Sequence, residues 1–270
     1  MRVLLVSRID DEDAVRFAGD LAALLTRAGH RVQPEGDLGA RLGMTGIQLQ
    51  QAEVDLAVVI GGDGSVLRTV QELPRQVPIL GINWGEVGFL ADLERDEALS
   101  FLSALGRDLP VERRMRISLA LNGNPIGAAL NEAVIVTSRP AKMLRFTVDV
   151  DGVTAERFRA DGMLVSTPTG STAYAMSAGG PIVDPWIEGF LLVPLAPYML
   201  SSRPVFISSE RTLRITLESE KPAQLVADGQ KAWELQPGAV LDVGRSPDPA
   251  LFVSVGKNFF EKVEQKLRRL

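Results

Sequence analysis

The chain has 270 residues, 46% hydrophobic and 23% charged, a mixture that supports one large or two ordinary globular domains with a sizeable core. It has no cysteine and a single histidine, His30, which excludes disulfides, thiolate nucleophiles and cysteine-ligated metals and argues against a histidine metal cluster or a Ser-His-Asp triad. The net charge of −5, from 29 basic and 34 acidic residues, argues against a dedicated nucleic-acid binder but not against a nucleotide ligand, which needs only a local positive field.

In chain order, "RVLLVS" reads as a buried strand. Ala14, Phe17, Ala18, Leu21, Leu24, Leu25 and Ala28 recur at spacings of three and four, which predicts a helix with Gly29 as its C-cap and His30 just past its end. Residues 31–51, rich in Gly and Gln, read as a mobile or functional loop. "VDLAVVI" and "VPILGIN" are two more buried strands, with a helix between them from about Ser65 to Leu73 and Pro74 just beyond. Strand, helix, strand in this order predicts a parallel sheet with right-handed crossovers.

After about residue 110 the pattern changes to short β-rich runs separated by turn residues, among them "VDVDGV" with its Asp-Gly hairpin signal. "ERRMR" (112–116) reads as a solvated strand edge, and the tryptophans at 84, 186 and 233 mark no stacking platform. The final "GKNFFEKVEQKLRRL" predicts an amphipathic helix with Lys and Arg in its last turn, where the helix dipole favours them. The expected organisation is an α/β domain over 1–108, a mostly β, sandwich-like domain over 109–255, and a helix over 256–270 that returns to pack on the first domain. The opening apolar stretch is too short for a signal peptide or a span, and residues 189–200 are broken by Pro194 and Pro197. A cytoplasmic protein without membrane contact is expected.

Four segments could carry chemistry. In "VVIGGDGSVLR" a strand ends at Ile60 and a helix follows, and ligands of open α/β sheets bind beyond the carboxyl ends of the strands. Gly61, Gly62 and Gly64 permit positive φ and close approach of a ligand, and a phosphate could sit at the helix N-terminus. Asp63 would then lie beside phosphates, where a carboxylate either holds a cation or takes a proton, with Arg68 one turn on to offset its charge. As an N-cap in a tight turn Asp63 would need no ligand, and the tetrapeptide alone leaves both readings open. Residues 159–185, rich in Gly, Ser and Thr around Tyr174, offer many backbone donors and hydroxyls with few bulky side chains, which suits a flat polar ligand with ribose hydroxyls. Asn131 and Glu132 read first as a polar strand entrance, although an amide and a carboxylate together could read a hydrogen-bonding edge. "VADGQ" (226–230) reads as a hairpin turn.

In this order, "GGDGSVLR", "GINWGEVGFL", "NEAVI", "ADGMLVSTPTGSTAYAMSAGGP", "APYMLSSRP" and "DGQ" resemble the NAD kinase family, from about residue 55 to 230. "GGDG" alone is shared with diacylglycerol, sphingosine and phosphofructo-kinases; the Thr-Pro-Thr-Gly-Ser-Thr-Ala-Tyr run is far more specific. The resemblance implies a Rossmann-like, phosphofructokinase-like first domain and transfer of the γ-phosphoryl of ATP to the 2′-hydroxyl of the adenosine ribose of NAD. It makes Asp63 the proton acceptor and places phosphates at Gly61, Gly62, Gly64 and Arg68. It implies NAD contacts from Asp63, Gly64, Arg68, Asn131, Glu132, Thr169, Thr172, Ala173, Tyr174, Ala175, Met176 and Ser177. Asp161 would lie towards the nicotinamide end, with further contacts at Lys142, Arg159 and Gln230. Mg²⁺ would accompany ATP, no residue is expected to form a metal site, and a homodimer or homotetramer is implied. Tyr198 stands where many members carry His. The competing readings are another kinase of the same superfamily, which the adenine- and ribose-suited segment disfavours, and a non-enzymatic dinucleotide-binding regulator, which has little use for Asp63.

Overall fold

The apolar runs of the N-terminal third become the inner strands of a parallel sheet. The computed structural model describes every residue except 86, 87, 107, 140, 141, 200 and 268–270. In chain order it gives β1 (Arg2–Ser7), α1 (Glu12–Arg27), β2 (Arg31–Pro34), α2 (Gly36–Leu42), β3 (Leu56–Gly61), α3 (Asp63–Glu72), β4 (Pro78–Asn83), α4 (Arg95–Ser103) and β5 (Val111–Arg114). There follow β6 (Ile117–Leu121), β7 (Asn124–Ala129), β8 (Glu132–Thr137), β9 (Leu144–Val150), β10 (Val153–Ala160), β11 (Gly162–Ser166), α5 (Tyr174–Ser177), β12 (Gly189–Leu195), β13 (Val205–Ser208), β14 (Leu213–Leu217), β15 (Ala223–Ala227), β16 (Lys231–Leu235) and β17 (Val240–Arg245), and last β18 (Ala250–Val253) and α6 (Phe259–Leu267).

The chain forms two compact units, Met1–Arg113 with Ala250–Leu270, and Arg114–Pro249. The first holds a six-stranded sheet in the order β2-β1-β3-β4-β18-β5, with β1, β2, β3, β4 and β18 paired in parallel. All six residues of β3 are buried, as a central parallel strand covered on both faces requires. Val3, Leu5, Val58 and Ile60 pack against Ala18, Leu21 and Leu25 of α1. Asp11 caps α1, accepting from the backbone N–H groups of Asp13 and Ala14.

Several expectations need correction here. Residues 31–51 are not a loop: they hold β2, α2 and a 3₁₀ turn at Leu49–Gln51. Their glycines allow close backbone approach, since a Cβ on Gly39 would lie 2.6 Å from the Cα of Gly46. The helix after the Gly-Asp turn starts at Asp63 rather than Ser65. The run "LFVSV", expected in the β-rich half, supplies β18 to the parallel sheet. Arg116 of "ERRMR" is buried, not solvated. Of the expected basic last turn of α6, Arg268 and Arg269 lie outside the described residues.

The second unit is a sandwich of two six-stranded antiparallel sheets, β10-β9-β14-β17-β6-β7 and β13-β12-β11-β8-β15-β16. Phe146, Ile215 and Leu241 of one sheet share a core with Ile135, Phe190 and Leu225 of the other. Asp151 and Gly152, both at positive φ, close the β9–β10 hairpin as the Asp-Gly signal predicts.

Candidate functional site

In the first unit the Gly-Asp turn lies where β3 runs into α3. Gly62, in extended backbone, is the N-cap residue, and Asp63 is already the first helical residue, so the capping reading of Asp63 fails. Its carboxylate points elsewhere: Oδ2 accepts from the backbone N–H of Phe89 at 2.8 Å and Oδ1 from that of Leu90 at 2.9 Å. Two N–H groups fix the carboxylate plane and leave each oxygen a second lone-pair direction. Gly88 makes this approach possible, because a Cβ there would sit 2.4 Å from Oδ1 of Asp63. None of Gly61, Gly62 and Gly64 uses the positive φ that glycine permits. Gly61 is needed because a Cβ would meet Oγ of Ser65 at 2.5 Å, whereas Gly62 and Gly64 face open space. Open space above two glycines at a helix start is room for a ligand against bare backbone.

Arg68 does not stand free beside the turn. Its guanidinium forms a two-pronged pair with Glu35, at 2.5 and 2.8 Å. Glu35 comes from the segment read as a loop, where no pattern pointed to this partner.

In the second unit three chain segments meet at one end of a sheet: residues 130–132 entering β8, 166–172 leaving β11, and 227–229 turning from β15 to β16. The carbonyl of Asn131 accepts from the backbone N–H of Thr167 at 2.8 Å and from Oγ of Ser166 at 3.0 Å. Gly170 lies so close that a Cβ would stand 2.2 Å from that carbonyl oxygen. The hairpin turn "VADGQ" has a larger role than expected. Asp228, only 3% exposed and at φ +49°, accepts from the backbone N–H groups of Leu130 (2.8 Å), Asn131 (2.7 Å) and Glu132 (3.1 Å).

This frame presents two polar atoms that the protein leaves unbonded, Oδ1 of Asn131 and Oε2 of Glu132, both buried. Buried polar atoms are nearly always paired, so these two could take hydrogen bonds from ligand groups. Burial, and then the nearby Asp228, pushes the Glu132 carboxyl up to about 8. Near neutral pH it therefore keeps its proton and can donate as well as accept, where the sequence suggested only an acceptor.

A stability prediction follows for Glu132. The unfolded carboxyl releases its proton near 4.5 and the folded one near 8, so the folded state binds the extra proton between those values. Its contribution is fully present below 4.5 and is lost as pH rises towards 8. Glu132→Gln cannot titrate. Its unfolding free energy relative to wild type is expected to improve from pH 5 to pH 8 by up to about 4 kcal/mol, at ~1.4 kcal/mol per pH unit. Denaturant melts across that range check it, and a difference that stays flat with pH would refute it.

Family models match both parts of the chain, the ATP-NAD kinase N-terminal domain over residues 3–108 and the ATP-NAD kinase C-terminal domain over residues 130–255. The chain belongs to the NAD kinase family. It is 64% identical to the NAD kinase of Methanoculleus marisnigri and 58% identical to that of Methanoregula boonei, each over the full length of both chains. Among solved structures it is similar to an NAD kinase from Archaeoglobus fulgidus in complex with ATP, with TM-score 0.82, 34% identity and full coverage of both chains. It shares its fold with yeast NADH kinase complexed with NADH, with TM-score 0.90 and 23% identity, over 99% of this chain and 87% of that one. The chain is therefore an enzyme that phosphorylates NAD, and the lipid-kinase and regulator readings are set aside.

Of the other residues that the NAD kinase resemblance singled out, 169–177 and Gln230 follow the frame directly, whereas Asp161, Arg159 and Lys142 lie at the opposite end of β8 and β11, where the Thr137 N–H donates to the Asp161 carbonyl. Thr169 and Thr172 are buried in a 3₁₀ turn. Ala173 and Met176 are half-buried, Tyr174 and Ser177 are exposed, and Ala175 packs on Val134, Leu164, Leu191 and Val193. Asp161 is half-buried, with its backbone bonded to Leu195 and Thr137. Arg159 is exposed and lies 5.0 Å from the ring of Tyr198, whose backbone N–H donates to the Arg159 carbonyl. The unusual Tyr198 thus has a local partner. Lys142 and Gln230 are exposed, and the Gln230 N–H donates to the carbonyl of Ala227 across the Asp228 turn. Sequence reasoning missed two residues of this NAD kinase. Asp228 was hidden inside an ordinary hairpin signal. Arg116 was hidden inside a charged run, yet its guanidinium is buried, its Nε is unbonded, and Asp228 and Asp248 supply the nearby negative charge.

Proposed function

We propose that the chain transfers the γ-phosphoryl group of ATP to the 2′-hydroxyl of the adenosine ribose of NAD, with Asp63 as general base. The 2′-oxygen forms the new bond to the γ-phosphorus, the bond to the β,γ-bridging oxygen breaks, ADP leaves, and the hydroxyl proton passes to the Asp63 carboxylate. The observation that carries this reading is the Asp63 carboxylate, held by two backbone N–H groups beside the open glycines of a helix start. A ribose hydroxyl is a weak acid and needs such an acceptor as it attacks. The transition state is loose, so positioning and electrostatics carry most of the rate. Asn131 and Glu132 would take the adenylate half of NAD through their unbonded atoms, with Thr169, Thr172, Ala173, Tyr174, Ala175, Met176 and Ser177 lining that pocket. Asp161 would lie towards the nicotinamide, with further ligand contacts from Lys142, Arg159 and Gln230. Phosphates would rest over Gly62 and Gly64, and the Arg68–Glu35 pair would border them.

Magnesium belongs in this proposal to the Mg-ATP substrate. Among the described residues no three His, Asp or Glu side chains converge to hold a metal, and phosphate and water oxygens suit its octahedral shell. No step is assigned to it. Exposed Trp186, Ile187, Tyr198, Met199 and Phe206 on the second unit support self-association as a homodimer or homotetramer, which a monomeric mass in solution would refute. No described helix is long and apolar enough to cross a membrane; a cytoplasmic location is proposed because both substrates are nucleotides of the cell interior. Incubation with NAD and Mg-ATP is expected to give NADP. No product with ATP, and none with inorganic polyphosphate as donor, would sink the proposal.

A further inference from the structure

Three lysines face the start of α4 and the segment that leads into it from the C-terminal end of the chain. Lys257 pairs with Glu97 at 2.7 Å and Lys262 with Asp92 at 2.5 Å. Lys266, one turn further along α6, places its ammonium 4.4 Å from the ring centroid of Phe89. Among the described residues no carboxylate forms an ion pair with it, unlike the other two. Phe89 is the residue whose backbone N–H holds Oδ2 of Asp63, so the ammonium stands over the loop that fixes the proposed base. Asp63, Asp92 and Glu94 supply the negative charge that acts on it, Lys262 opposes them, and burial holds the ammonium below the ordinary lysine value.

A long cationic side chain at the end of a surface helix normally extends its head into water. Lys266 is instead half-buried, and a desolvated ammonium without a close counter-ion is unfavourable. The ring of Phe89 offsets only a small part of that. A phosphate chain arriving over Gly62 and Gly64 would offset far more. The turn also lacks another free cation of its own, since Arg68 is committed to Glu35.

We propose that Lys266 is a phosphate-binding residue of the catalytic turn, bringing a positive charge from α6 to the phosphate chain of the nucleotide donor. The inference rests on the reading of the Gly-Asp turn as the donor-phosphate site. The diphosphate of NAD has the same chemistry, but the glycines and the helix start that share a unit with Lys266 favour the donor.

Lys266→Met keeps the stem against Phe89 and removes the charge, and Lys266→Arg keeps the charge. With the full-length enzyme, the Met variant is expected to raise the KM for Mg-ATP about tenfold or more. It should leave the KM for NAD within about twofold and the ligand-free melting temperature unchanged. The rise in melting temperature that Mg-ATP produces should shrink in the Met variant, and the Arg variant should recover most of both effects. An unchanged KM for Mg-ATP overturns the proposal. So does an equal rise in both KM values, or a loss that Arg does not recover, since either marks a structural role. A rise in the KM for NAD alone overturns the donor assignment in favour of the NAD diphosphate. Failure of the general-base reading would appear separately, as turnover retained in Asp63→Asn, whatever Lys266 does.

Discussion

Asp63→Asn is expected to lose about 10²–10⁴-fold in kcat while still binding NAD, because an amide cannot take the ribose proton. The same change will not be silent in stability. Each oxygen of the Asp63 carboxylate accepts from a different backbone N–H, of Phe89 and of Leu90. An amide can accept only one of them, and its NH₂ group then faces the other donor. A donor left unpaired at this half-buried site costs about 1 kcal/mol, the low end of the range for buried donors, which corresponds to a fall of a few degrees in melting temperature for a chain of this size. At an N-cap Asn serves about as well as Asp, but Asp63 is not the cap and its two-oxygen anchor is lost. Turnover and NAD affinity therefore have to be measured together. Lost turnover with near-normal NAD affinity identifies the base. Wild-type turnover in the variant would reduce Asp63 to an anchor for the Phe89–Leu90 loop.

The second large effect belongs to Asp228. Its carboxylate accepts from three successive backbone N–H groups, of Leu130, Asn131 and Glu132. Asp228→Ala leaves all three buried and unpaired and puts Ala at φ +49°, where Asn and Asp are tolerated better. A loss on the order of 3 kcal/mol or more is expected. Asp228→Asn suits the backbone and keeps one acceptor oxygen, so it is the milder variant. It also removes the negative charge that helps raise the Glu132 carboxyl. NAD affinity is expected to fall about tenfold in Asp228→Asn and further in Asp228→Ala, read by titration calorimetry alongside thermal melts. Wild-type affinity and melting in both would return Asp228 to an ordinary turn residue.

How far the sequence could be read depended on what each residue type had to do. The strands of the first sheet were legible because a strand buried on both faces must be a continuous apolar run, as β3 is. The hairpin at Asp151–Gly152 was legible because its backbone demands those residue types. Residues 31–51 were not, because Gly39 and Gly46 serve packing of backbone on backbone, which in composition looks the same as a loop. Asn131 and Glu132 were visible as residue types and could be placed by resemblance. What makes them available, the turn of Asp228 some 97 residues away in sequence, left no local trace. Arg116 failed for the opposite reason: a charged residue in a charged run gives no hint of burial, yet it is 8% exposed.

The parallel sheet has a further consequence through β18. The chain leaves the first unit at Arg113 and re-enters it only at Ala250, so the sandwich is one uninterrupted stretch and the α/β unit is not. During synthesis the sandwich can close as soon as its last strand clears the ribosome. The first sheet must wait, because the place between β4 and β5 stays vacant until Ala250–Val253 has been made. Until then the edge of β4 exposes unpaired backbone to the nascent chain's surroundings. The order of folding is thus written into the order of the gene: the sandwich first, the α/β unit last, with α6 as the final piece.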